Sequence, residues 1–260
     1  MLIQQGEARS GTADQHLAWS LAGIAGALNT AGFYAVGLYS SNMTGNVSAL
    51  ADHIGVGDLA AAAVYFALVA TFIAGAAAST LLINAGRRRG LASIYALSIL
   101  AEALLLAGLG CADLWLPEFG RGSTLAFGLS FLMGLQNAVV TRISNARVRT
   151  THVTGMVTDI GIELGNLADL MRHRGRESDI TVNRDKLRLH AQTVASFLAG
   201  GIAGLLAYKV MGAALLLGIA ALLLLIAGRG IAVGGLGPPR DAPSAPDPAA
   251  PAVTPGNRHP

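Results

Sequence analysis

The chain has 260 residues, of which 53% are apolar and only 13% charged, with a net charge of +3 and one cysteine. A soluble domain averages about 25% charged residues, so the deficit argues against a soluble fold. In a membrane protein excess Lys and Arg report orientation, so the positive charge does not argue for nucleic acid, and lone Cys111 excludes an intrachain disulfide or a multi-cysteine metal site.

Charges crowd into Arg87, Arg88 and Arg89, into 142–149 and 172–188, and into the two tails. Between them lie apolar runs of about 20 residues, the length that crosses a hydrocarbon layer of about 30 Å. The expected class is therefore an all-α polytopic membrane protein of about six transmembrane helices.

Residues 1–16 lack the basic-then-apolar layout of a secretory signal and read as a cytoplasmic N-terminal segment. The first span covers 17–39 and is rich in small residues, which permit close helix contact in lipid. The polar step Ser40-Ser41-Asn42 interrupts it, and 43–53 then forms a short helix with Ser41 or Asn42 as its N-cap. A second span, 59–84, has Gly75 and Ser79 in small-xxx-small spacing. The third, 91–112, carries a lone acid, Glu102, and Trp115 in the following loop suits the membrane–water interface. A fourth span covers 124–140. The next stretch, 151–171, has helical length but contains Asp159, Glu163 and Asp169. Residues 172–190 read as a charged loop, and spans 193–208 and 211–227 follow, the former with Gly200 and Gly204 in GxxxG spacing. Eight of the nine prolines fall at or after Pro238, so 229–260 reads as a disordered tail.

Under six spans, sixteen of the eighteen Lys and Arg lie on one side, leaving Arg121 and Lys209 on the other. The positive-inside rule then places both termini in the cytoplasm. A seventh span through 151–171 would strand six basic residues of 172–188 outside. That favours partial or re-entrant helices at 43–55 and 151–171.

The two halves, 17–112 and 113–228, repeat one another. Gly26-Ala27-Leu28-Asn29 precedes Thr44-Gly45 by the same pattern with which Gly134-Leu135-Gln136-Asn137 precedes Thr154-Gly155. Thr71-Phe72-Ile73-Ala74-Gly75 matches Ser196-Phe197-Leu198-Ala199-Gly200. Three spans per half is an odd number, so the copies are expected to be inverted. Inverted repeats whose interrupted helices meet near the bilayer midplane are the architecture of many secondary transporters.

The strings Asn29-Thr30-Ala31-Gly32-Phe33, Asn42-Met43-Thr44-Gly45-Asn46, Gly134-Leu135-Gln136-Asn137-Ala138 and Thr150-Thr151-His152-Val153-Thr154-Gly155 resemble the YoaK family over 17–228. This is a catalogued domain-of-unknown-function family of bacterial integral membrane proteins. The resemblance implies a bacterial cytoplasmic (inner) membrane location and brings neither an activity nor site residues.

A substrate site is expected at Asn29, Asn42, Thr44, Gly45, Asn46, Asn137, Thr151, Thr154 and Gly155. Its Thr hydroxyls and free helix N–H groups would suit a small polar or anionic solute. The plainer reading makes the Thr-Gly steps close-packed turns, and Asn29 and Asn137 interhelical glue. Glu102, Asp159 and Glu163 are candidates for ion coupling, since acids in membranes tend to be functional. The plainer reading gives Glu102 a structural hydrogen bond and sets the other two at the surface, solvated or paired with Arg147 or Arg149. His152 could titrate or bond cargo, or simply pack.

The leading functional expectation is a secondary transporter or permease, with the lipid bilayer and a small solute as partners, no cofactor, no metal and no nucleic acid. Homo-oligomerisation is compatible with it. No phosphate-binding Gly-Lys-Ser/Thr loop, Gly-x-Ser-x-Gly or His-Glu-x-x-His pattern is present, so enzymatic activity is not expected. The alternative is a non-transporting protein acting as a partner-binding subunit or intramembrane enzyme.

Overall fold

Apolar segments removed from water must satisfy their own backbone, and a helix does so within one segment. A computed structural model, describing residues 11–173 and 182–234, has eight helices in that range. They are α1 (Gly11–Val36), α2 (Met43–Gly55), α3 (Leu59–Arg88), α4 (Ile94–Trp115), α5 (Glu118–Ile143), α6 (Val153–His173), α7 (Arg184–Met211) and α8 (Ala214–Gly234). Five of these, α3, α4, α5, α7 and α8, are long and apolar enough to cross a membrane. They coincide with five of the six expected spans. The remaining one is α1, a helix of 26 residues diluted by Asn29, Thr30 and its glycines.

Several expected boundaries change: α1 begins at Gly11 and α5 at Glu118, both ahead of their expected spans. The charged stretch 172–190 is not all loop, because α7 begins at Arg184, where Asn183 accepts a hydrogen bond from the Lys186 N–H (2.9 Å) and caps the helix. Helix α8 runs through Gly234, seven residues beyond the expected end of its span. The remainder of the expected tail (235–260) and residues 1–10 lie outside the described residues.

Glycine sets how the helices meet. Helices α1 and α7 run parallel: a Cβ on Gly26 would strike the Phe197 carbonyl, one on Gly200 the Gly23 carbonyl, and one on Gly204 the Ala27 backbone. Helices α3 and α5 make the equivalent parallel contact, where a Cβ on Gly75 would strike the Phe131 carbonyl and one on Gly134 the Phe72 carbonyl. Ser130 reinforces this second pair by donating to the Leu68 carbonyl (2.8 Å). Both pairs therefore use the glycines of the repeated strings. Helix α4 lies antiparallel to α5, with Leu109 against Gly128 and Glu102 against Gln136, and also packs on α8, with Gly110 against Leu216 and Leu217. Helix α1 meets α5 through Gly32 and Leu129, and Gly122 and Val36, which makes these two antiparallel.

The buried centre is Leu21, Leu28, Ile99, Leu106, Leu129, Leu132, Met133 and their neighbours on α1, α4, α5 and α8. Large apolar side chains elsewhere face outward, among them Phe66, Ile73, Leu198, Ile202 and Leu225 on α3, α7 and α8. An apolar periphery around a partly polar interior is the arrangement expected in lipid.

Candidate functional site

Each repeated Gly-x-x-Asn string supplies a polar side chain that captures the loop doubling back after its helix. After α1 the chain turns through Gly37, whose positive φ of 73° suits glycine. It returns far enough for the Ser41 N–H to donate to Asn29 Oδ1 (3.0 Å). After α5 the turn uses Asn145 and Ala146, both at positive φ, and Ser144 Oγ accepts from the Val148 N–H (3.0 Å). The Thr151 hydroxyl then donates to Asn137 Oδ1 (2.9 Å), while Asn137 Nδ2 donates to the Met133 carbonyl (2.8 Å). The asparagines thus tie loops to their own helices, more locally than the interhelical glue expected from sequence.

The apolar stretches are interrupted in these loops, in the first case at the expected Ser40-Ser41-Asn42 step, and Thr44-Gly45 and Thr154-Gly155 sit within the first turns of α2 and α6. Asn42 caps α2 by accepting from the Gly45 N–H (3.1 Å), and its carbonyl accepts from the Asn46 N–H (2.9 Å). His152 holds the matching place before α6, its carbonyl accepting from the Met156 N–H (3.2 Å). A Cβ on Gly45 would meet the Asn42 side chain, and one on Gly155 the His152 ring. Each glycine lies beneath the side chain of the residue just before its helix.

These two helix starts face a common cavity of about 590 Å³. From the first half come Asn29, Tyr39, Ser41, Asn42, Met43 and Thr44, and from the second Asn137, Thr141, Arg149, Thr151, His152, Val153 and Thr154. Phe72 on α3 and Phe197 on α7, matching residues of the repeat, supply its aromatic walls. Six of the nine expected site residues line this cavity: Asn29, Asn42, Thr44, Asn137, Thr151 and Thr154. Gly45 and Gly155 stand one position behind it, and Asn46 turns away, buried and donating to the Tyr39 carbonyl (3.2 Å).

Sequence reasoning passed over Tyr39, Ser41, Thr141 and Arg149 as lining residues. The first two could be found by extending the polar step backward from Asn42; Thr141 lies one helical turn beyond Asn137 on α5. Arg149 looked like one of a basic cluster beside the membrane. Among the described lining residues it is the one permanently charged side chain.

The three acids stand elsewhere. Asp159 accepts from Lys186 (3.0 Å) and faces His190 (3.4 Å). Lys186 holds its carboxyl below the usual carboxylate range. Glu163 accepts from the Asn183 N–H (2.9 Å), so Asp159 and Glu163 together fasten α6 to the start of α7. Glu102 is fully buried between α4 and α5, where its Oε1 accepts from Gln136 Nε2 (2.8 Å). The structural hydrogen bond considered for it is therefore present.

The geometry suits the binding of a polar or anionic group. First-turn N–H groups lack intrahelical acceptors, and helix starts carry partial positive charge. Two such starts, an arginine and several hydroxyls surround a space with aromatic sides. Among the described residues no group of three or more His, Cys, Asp or Glu is arranged to hold a metal ion.

Fold and cavity together define a helical membrane protein with a polar pocket between two helix starts. The chain matches the family model described as "Protein of unknown function (DUF1275)" over residues 17–228, and it belongs to that family. No curated protein and no solved structure matches it.

Proposed function

We propose that this protein is a secondary transporter or permease for a small anionic or polar solute, bound between the starts of α2 and α6. It works in the bacterial cytoplasmic membrane with both termini on the cytoplasmic side. The observation that carries the reading is the convergence of Asn42, Thr44, His152 and Thr154 on one cavity. Helix starts of this kind bind anions through free N–H groups and the helix dipole, and Arg149 adds a full charge. Phe72 and Phe197 exclude water from the sides.

The halves act as inverted repeats, each of four helices once α2 and α6 are included. In support, α1 and α5 carry the matching Gly-x-x-Asn strings and run antiparallel, while their parallel partners α7 and α3 carry the matching Phe-x-x-Gly strings. Inversion lets two similar arrangements open the same site to opposite faces of the membrane. Helix α2, with 13 residues, is about 20 Å long and too short to cross, which agrees with a re-entrant role.

The test is uptake by purified protein in liposomes, using a panel of small inorganic and organic anions and neutral polar solutes. Uptake of at least one solute, abolished by Thr44→Val combined with Thr154→Val, is expected. Movement of none, together with a stable subunit that co-purifies, would instead support a partner-binding role.

A further inference from the structure

A carboxyl inside a membrane bundle needs a cation or several donors if it is to be ionised. Glu102 has neither: Gln136 Nε2 bonds its Oε1 at 2.8 Å, while Oε2 is buried without a partner. Gln136 is itself fully buried, and its Oε1 is also without a partner. The two unpaired atoms therefore belong to one interacting pair. A proton on Glu102 Oε2 converts an unpaired acceptor into a donor, and Gln136 Oε1 is the acceptor that lacks one. The same proton also removes the cost of holding a charge at that depth.

From this geometry we propose that Glu102 and Gln136 form a proton-binding site coupled to the cavity. The coupling element is α5. Gln136 precedes Asn137, which lines the cavity and holds the re-entrant loop through Thr151. A displacement of α5 that reshapes the Asn137–Thr151 tie also moves the amide away from Glu102. The proton then leaves Oε2 for water admitted with the opened site, and a new one returns as the pair closes. No bond other than O–H forms or breaks.

Other charged groups on the packed helices stand toward the helix ends. These are Arg87 and Arg88 on α3, Glu118, Arg121 and Arg142 on α5, Arg229 on α8, and Asp113 on α4 itself. Among the described residues, Gln136 is the side chain that hydrogen-bonds the Glu102 carboxyl. Asp159 and Glu163, the other acids considered, are engaged by Lys186 and the Asn183 N–H, so neither is an unpaired proton acceptor.

That the proton drives solute movement rests on the transport reading; that it binds here does not. Infrared difference spectra of the full-length protein in lipid, taken across a pH series, test binding directly. The expected result is a neutral-carboxyl band that disappears in Glu102→Gln, shifts in frequency in Gln136→Leu, and persists in Asp159→Asn. A band unchanged by Glu102→Gln, or no neutral-carboxyl band at all, overturns the proposal. Glu102→Asp, which keeps a titrating carboxyl, is expected to retain the band and guards against loss through misfolding.

For any solute found to move, accumulation driven by a pH gradient is expected to vanish in Glu102→Gln and return with an altered pH profile in Glu102→Asp. Unaltered pH dependence in Glu102→Gln overturns the coupling. If no solute moves while the band behaves as expected, the transport reading fails and the proton site stands.

Discussion

At the scale of single residues, Asn29, Asn137 and Arg149 carry most of the account. Asn29→Ala leaves the buried Ser41 N–H without its acceptor, a loss of about 1–3 kcal/mol. The expected outcome is reduced stability in detergent unfolding; stability equal to wild type would mean the loop does not depend on this tie. Arg149→Gln removes a charged donor, and hydrogen bonds to charged groups contribute about 1.5–3 kcal/mol. At a tenfold change per about 1.4 kcal/mol, affinity for an anionic solute should fall at least about tenfold, whereas a neutral solute should be little affected. Equilibrium binding to the variant checks this. The asparagines were legible in sequence because a buried amide in an apolar run demands a partner. Arg149 was not, since its nearness to Thr141 and His152 depends on how the turn at Asn145 and Ala146 folds the chain back.

At the scale of elements, the parallel pairs α1–α7 and α3–α5 depend on backbone approach at glycine. Gly134→Leu must push α5 away from the Phe72 carbonyl, and overpacking of this kind costs about 1–3 kcal/mol. Gly75→Leu meets the Phe131 carbonyl and should behave alike. By contrast Gly108, which has open space where a Cβ would stand, should accept Ala with little change in unfolding temperature. Helix α6 is fastened to α7 by Asp159 and Lys186. Because the native Asp159 carboxyl is lowered mainly by its hydrogen bond to Lys186, the tie is complete above the ordinary carboxylate range. It is lost only as the pH falls through the lowered native value. Protection from hydrogen exchange at the start of α7, taken relative to the intrinsic rate at each pH, should therefore stay constant from neutral to mildly acidic pH and fall below that, and Asp159→Asn should flatten the response. The span boundaries followed apolar length closely, because lipid thickness leaves little choice. The start of α7 did not, since Arg184, Lys186 and Arg188 look like a solvated loop yet are good helix formers behind an Asn183 cap.

At the scale of the whole molecule, the repeat was readable before any coordinates, since Gly26 and Gly134, Asn29 and Asn137, and Phe72 and Phe197 recur in order. Which residues of each copy meet was not readable. The strings pair across the halves, α1 with α7 and α3 with α5, and the starts of α2 and α6 come to one space. The Ser40-Ser41-Asn42 step marked the first interruption and its cap, but that Gly45 makes room for the Asn42 side chain and Gly155 for the His152 ring was not readable. The claim at the centre is that the starts of α2 and α6 share one solute site. In a Cys111→Ser background, single cysteines at Thr44 and at Thr154 can be alkylated in the presence of increasing solute. The account predicts that one solute protects both positions with the same half-saturating concentration. Protection of one cysteine alone, or different half-saturation at the two, would contradict a shared site.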